Sequence, residues 1–202
     1  KTRQTDRRKY RRLEKIGKVN VIIGESEEQT QKIISSLFKQ KSRRYRETSE
    51  WDMLAVEEYR QFYQGLTNLS SDNIKVHCAA LSVGNVMVAT HVGIVDKDTF
   101  YYLMPANEGG EWVRYSIGRL LLLELIKWSI ENGLKYFDFT TGGEAYKKEW
   151  CDIEDNLYEL INPVSFKGQV YEKYQCSKRA ILELCWLGSK IKNIFNWVRN
   201  HI

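Results

Sequence analysis

Residues 100–150 read FYYLMPANEGGEWVRYSIGRLLLLELIKWSIENGLKYFDFTTGGEAYKKEW. An aromatic, β-like run leads into a glycine-containing turn. A long apolar helix follows, then a second short strand, then a Gly-Gly turn crowded with Glu, Tyr and Lys. This strand–turn–helix–strand order is a crossover, which places the helix N-terminus near the end of the following strand. A helix N-terminus attracts phosphate, and a strand end opened by Gly-Gly can hold reactive side chains beside it.

The crossover helix, residues 116–132, is apolar around most of its girth. Leu120, Leu121, Leu122, Leu123, Leu125, Ile126, Trp128 and Ile130 leave only a stripe of Glu124, Lys127 and Glu131. Such a helix lies against a sheet, and Gly133 supplies its stop. KYFDF then predicts a short buried strand with Asp138 between two aromatics.

Upstream, IKVHCAALSVG and NVMVATHVGIV are β-rich runs joined by Gly84-Asn85, a hairpin signal. Asp96-Lys97-Asp98 turns the chain into TFYYLM, completing three antiparallel strands. VNVII at residues 19–23 predicts another strand. Ser26 and Gln29 form a capping-box pattern opening a helix with Ile33, Ile34, Leu37 and Phe38 on one face. RRYRETSEW reads as a polar loop, and residues 52–66 as one helix. Residues 1–16 predict a basic helix ended by Gly17, with Tyr10, Leu13 and Ile16 as its apolar points. LYELINPV, residues 157–164, predicts a last strand. The remainder reads as a basic helical tail, with an apolar face including Ile181, Leu184, Ile191 and Phe195. The fold class is therefore α+β, or mixed α/β, with one crossover inserted in a mostly antiparallel twisted sheet. Residues 1–165 form the expected main domain, and 166–202 a helical extension packed on it.

The 202 residues are 43% hydrophobic, which supports a packed core, and two prolines argue against a long disordered linker. No apolar run is long enough for a membrane span, and no signal peptide is visible, so a cytoplasmic location is expected. Cys78, Cys151, Cys176 and Cys185 form no C-x-x-C pair and the histidines number three, so no structural metal is expected. The net charge of +5 is segregated: residues 1–18 carry nine basic and two acidic groups, and residues 163–202 seven and two, leaving a body of −7. Basic ends on an acidic body suit solvated helix faces, a partner domain, a membrane surface met peripherally, or nucleic acid.

Two turns carry candidate chemistry. In Arg114-Tyr115-Ser116-Ile117-Gly118-Arg119-Leu120, Ser116 can cap the helix, leaving N–H groups of Ile117, Gly118 and Arg119 at its start, with Gly118 admitting a bulky anion and Arg114 or Arg119 pairing with it. An ordinary capped helix with surface arginines has the same pattern. In DFTTGGEAYKKEW, Tyr146 can act as an acid, Glu144 as a base and Lys147 as a charge stabiliser. A solvated turn anchored by Trp150 is the plainer alternative.

With Arg114, Tyr115, Ser116 and Gly118 in an R-Y-S-x-G pattern, and Asp138, Phe139, Gly142 or Gly143, Glu144, Tyr146, Lys147 and Trp150 in D-F-x-x-G-x-E-x-Y-K-x-x-W, the chain resembles the CelD-type acetyltransferases of the GNAT superfamily, relatives of the FemAB peptidyltransferases. The resemblance is specific over residues 100–150 and weaker from residue 7 to residue 165. In full-length members the basic helix lies mid-chain, so this chain is expected to be a C-terminal GNAT domain. The resemblance implies a GNAT fold whose sheet splays between TFYYLM and KYFDF. Acetyl-CoA (acyl-CoA) would sit in that splay, its pantetheine along Leu103 and Met104 and its pyrophosphate on Ser116, Ile117, Gly118, Arg119 and Leu120 with Arg114 nearby. It departs from the usual Q/R-x-x-G-x-G/A cradle in the spacing of its glycine. Acyl transfer to an amine or hydroxyl follows, with a small-molecule or glycan acceptor in polysaccharide or cell-envelope synthesis. The FemAB alternative would take an aminoacyl-tRNA through the basic residues 1–18, and a third reading is a GNAT-shaped module that binds without catalysis.

Overall fold

The computed structural model describes residues 2–66, 74–158 and 160–177. The chain divides into two compact units, Lys1–Asp152 and Ile153–Ile202. In the first, helix α1 (Thr2–Glu14) precedes strand β1 (Val19–Ile23), helix α2 (Glu27–Thr48), a 3-10 turn (Met53–Ala55) and helix α3 (Glu57–Leu66). Strands β2 (Ile74–Val83), β3 (Val86–Asp96) and β4 (Thr99–Asn107) follow. A 3-10 turn (Gly110–Tyr115) then leads to helix α4 (Ile117–Glu131), strand β5 (Tyr136–Asp138) and a last 3-10 turn (Lys147–Glu149). In the second unit, residues 166–177 are helical.

The five strands stand in chain order, β1 to β4 antiparallel and β5 parallel to β4. The parallel pair requires the α4 crossover, as the sequence predicts. Both sheet faces are covered. Along β2, Ala79, Leu81 and Val83 enter a core shared with Leu13 of α1 and with Ile117, Leu120, Leu121, Leu122 and Leu125 of α4. Cys78 and Ala80 enter a second core under Ile33, Ile34, Leu37 and Phe38 of α2 and Leu54. The two-residue period of a strand feeds both layers at once.

β4 breaks that period. Tyr101 pairs with Ile94, but the next pair is Met104 with Val92, so Tyr102 and Leu103 together oppose Gly93. This is a β-bulge, and it reverses the phase of the side chains. Phe100 and Tyr102 lie in the α4-side core, whereas Met104 and Ala106 meet the α2-side core. Gly93 makes the bulge possible: a Cβ there would stand 2.5 Å from the Tyr101 carbonyl oxygen and 2.6 Å from Cε1 of His91.

Several expectations change. RRYRETSEW is not a loop at its start, because α2 continues to Thr48. Arg43 donates to the Asn107 carbonyl at 2.6 Å and Ser42 to Asp52 at 3.2 Å, and these tertiary bonds hold a polar stretch helical. Residues 52–66 are not one helix. The Asp52 carboxylate accepts from Leu54 N–H at 3.0 Å, and Val56 adopts an extended conformation between the 3-10 turn and α3. The strand expected at 157–164 is not formed: the described residues there lie outside regular secondary structure. The tail beyond residue 177 lies outside the described residues. No described helix is long and apolar enough to cross a membrane.

Candidate active site

β4 and β5 pair only through Thr99–Tyr136, Phe100–Phe137 and Tyr101–Asp138. β5 then ends, and Thr140 takes a left-handed conformation (φ 60°) while its N–H donates to the Asp138 carboxylate at 2.6 Å. β4 instead passes through the bulge and runs on to Asn107, paired with β3 alone. The sheet thus opens at Tyr102–Leu103. Leu103 is exposed and Met104 partly buried along this one-sided stretch.

At the open end stands the start of α4. The expected Ser116 cap is not formed. Ser116 is left-handed (φ 53°) and makes no side-chain bond to the helix; its hydroxyl accepts instead from Lys9 Nζ at 2.5 Å. The first turnward bond of α4 runs from Leu120 N–H to the Ser116 carbonyl, so the N–H groups of Ile117, Gly118 and Arg119 precede the helical ladder. Ile117 and Leu120 are buried in the core, while Gly118 and Arg119 between them are partly accessible. Gly118 faces Asn107, whose Nδ2 would lie 3.1 Å from a Cβ at this position. Both arginines have acidic partners, Arg114 at the exposed surface and Arg119 more deeply. Arg114 pairs with Glu111 at 3.4 Å and lies over Tyr115. Arg119 pairs with Asp6 at 3.2 Å and Glu149 at 2.8 Å, and sits over Trp150 at 4.5 Å.

The Gly-Gly turn forms the third side. Lys147 is buried, and its ammonium donates to the Thr141 carbonyl at 2.8 Å and pairs with Glu144 at 2.9 Å. That hydrogen bond holds the Glu144 carboxyl below its ordinary pKa. Lys147 and Glu144 therefore clasp the turn. Tyr146 is partly exposed and edges Phe139, which in turn packs on Tyr102 at the bulge. Burial first, then the charges of Glu144 and Cys151, raise the Tyr146 pKa. The structure so brings Tyr146 to the opening of the sheet, and Glu144 and Lys147 to one another.

The buried Cys78 thiol, pushed up to about 12 by desolvation, is unsuited to nucleophilic work. Among the described residues no group of three His, Cys, Asp or Glu side chains stands together as a metal site. Sequence reasoning did not assign Lys9, Asp6 and Asn107 to this region. Lys9 and Asp6 belong to a helix more than a hundred positions from α4, and no local spacing signals that meeting. The open β4 edge and the unladdered N–H groups at the start of α4 fit a long, phosphate-bearing thioester such as acetyl-CoA.

A family model described as "Acetyltransferase (GNAT) domain" matches residues 1–148. An aminoglycoside acetyltransferase from an uncultured soil metagenomic sample, solved with sisomicin, is 15% identical, with a TM-score of 0.50 over 76% of this chain and 99% of its own, a likeness of fold. A second aminoglycoside acetyltransferase of that kind of source is 17% identical, with a TM-score of 0.49 over 73% of this chain and 99% of its own. A GNAT family acetyltransferase from Staphylococcus aureus subsp. aureus is 10% identical, with a TM-score of 0.47 over 70% and 98%. No curated protein sequence is a significant match. The family model takes in α1, the whole sheet and the crossover, and on that match the chain belongs to the GNAT acetyltransferases.

Proposed function

We propose that this chain moves an acetyl group from acetyl-CoA to an amine or hydroxyl on a small-molecule or glycan acceptor. The observation that carries this reading is the place of Tyr146, joined through Phe139 to Tyr102 where β4 bulges away from β5. When bound, acetyl-CoA supplies an acyl group already activated as a thioester. Leu103 and Met104 would hold its pantetheine arm, and the backbone of Ile117, Gly118 and Arg119 its pyrophosphate.

The Tyr146 phenol, protonated at neutral pH, can donate to the departing sulfur as the carbon–sulfur bond breaks, and the proton that the acceptor gives up on forming its new acyl bond returns to the phenolate. Glu144, lowered by its bond to Lys147, is a weak proton acceptor. We assign it, with Lys147, to holding the turn in place. A CelD-type kinship accords with the sequence motifs, and a role in cell-envelope sugar acetylation would follow from that kinship; both belong to the same proposal, as does an acyltransferase domain of residues 1–165 with 166–202 as its extension.

Calorimetric titration with acetyl-CoA, followed by mass spectrometry of a panel of amines and sugars incubated with it, tests the reading. Saturable binding and a mass gain of one acetyl group support it. A folded protein that neither binds nor transfers overturns it.

A further inference from the structure

We propose that Lys9 of α1 is the cation that contacts the pyrophosphate of the co-substrate, in place of Arg114 and Arg119. The inference rests on the acetyl-CoA reading above. The two arginines of the motif and Lys9 of α1 stand about the start of α4. Arg114 is largely exposed and meets Glu111 at the surface, and Arg119 is held by Asp6 and Glu149. Lys9 is different. It is partly buried, its ammonium donates to the neutral hydroxyl of Ser116 at 2.5 Å, and among the described residues no carboxylate lies within ion-pair distance of it.

Its position is unfavourable by itself. A helix N-terminus carries positive partial charge, so a lysine there meets like charge, and α4 has no acidic residue in its first turn to offset it. The Lys9 ammonium, the unladdered N–H groups and a positive dipole end together lack one thing, an anion. The same region keeps its acidic groups turned to other work: Asp6, on the same helix as Lys9, is spent on Arg119. That pair fixes α1 against α4 and so sets Lys9 at Ser116. Arg119 is then a positioning residue, and Lys9 a binding one.

The test compares wild type, Lys9→Ala and Lys9→Arg by calorimetry with three probes: acetyl-CoA, acetyl-3′-dephospho-CoA, and S-acetylpantetheine, which has no phosphate. Lys9→Ala is expected to weaken the first two by about tenfold or more, the scale of one charge-assisted hydrogen bond. It should leave S-acetylpantetheine unchanged, and Lys9→Arg should retain most of the affinity. Circular dichroism checks that each variant is folded. Equal losses for all three probes, or no loss for acetyl-CoA, overturn the assignment. A loss confined to acetyl-CoA moves the contact to the 3′-phosphate and also overturns it. Wild type that binds none of the probes brings down the co-substrate reading itself.

Discussion

Asp6 and Arg119, 113 positions apart, meet through both carboxylate oxygens at 3.2 Å, with Asp6 almost wholly buried. The Arg119 guanidinium also reaches Glu149 and covers Trp150, so one side chain ties α1, α4 and the turn after β5 together. Arg119→Ala should cost about 2–4 kcal/mol of stability, since it strands a buried carboxylate. Asp6→Ala should cost less than the sum when combined with it. Urea denaturation of the two single variants and the double variant measures the coupling, and additive losses would show that the pair is not a linked unit.

Gly93→Ala should be severely destabilising, by about 2–4 kcal/mol, although it adds one methyl group. The new Cβ would meet the Tyr101 carbonyl oxygen at 2.5 Å, and a backbone atom cannot swing aside as a side chain can. Relief requires the bulge to shift, which also moves Tyr102 and Leu103. A thermal melt indistinguishable from wild type would show that the strand yields easily there.

Tyr146→Phe should lower turnover by about a hundredfold or more while leaving acetyl-CoA affinity nearly unchanged, because the hydroxyl acts on the departing group rather than on the bound ground state. Lys147→Ala should differ. It removes the clasp to Thr141 and Glu144, so stability and turnover should fall together. Steady-state kinetics beside calorimetry separates the two patterns. A Tyr146→Phe enzyme of full turnover removes the tyrosine from the mechanism.

Acid should weaken the fold through His77 and His91. His91 is fully buried, stacked on Tyr102 and Phe100, and His77 packs on Phe100 and Trp128. Among the described residues no other side chain hydrogen-bonds to a ring nitrogen of either. Desolvation lowers the His77 pKa to about 4 and that of His91 well below its ordinary value. The unfolded chain therefore binds protons that the folded one refuses as pH falls below about 6.5, and stability drops from there down to about pH 4 by up to about 1.4 kcal/mol per pH unit for each histidine. Urea midpoints at pH 7, 6, 5 and 4.5 check this, and His77→Phe should flatten the slope. An unchanged midpoint across that range would contradict it.

The crossover was legible from the sequence because its signals are local. The apolar girth of α4, the Gly84-Asn85 hairpin and the aromatic run into β4 each lie within a short window, and the sheet order follows from them. What escaped depends on distant partners. The end of α2 is polar and reads as a loop, yet Asn107 and Asp52 hold its last turns. Ser116 has the composition of a cap and serves as an acceptor for Lys9 instead. Arg119 sits at the right place in the motif for an anion and is occupied by Asp6, which no spacing rule brings to it. The Tyr146 neighbourhood was half legible: the residue types were visible, but the mutual engagement of Glu144 and Lys147 was not.

Phe100, Tyr102, Met104 and Ala106 look in the sequence like one alternating stripe, but they are two half-stripes that belong to opposite layers. Their boundary is set by Gly93 on the neighbouring strand. β4 and Gly93 are thus inherited as a pair: a chimera that imports β4 without its glycine, or gains one residue anywhere between Thr99 and Met104, would turn half of each layer's side chains toward the wrong helix.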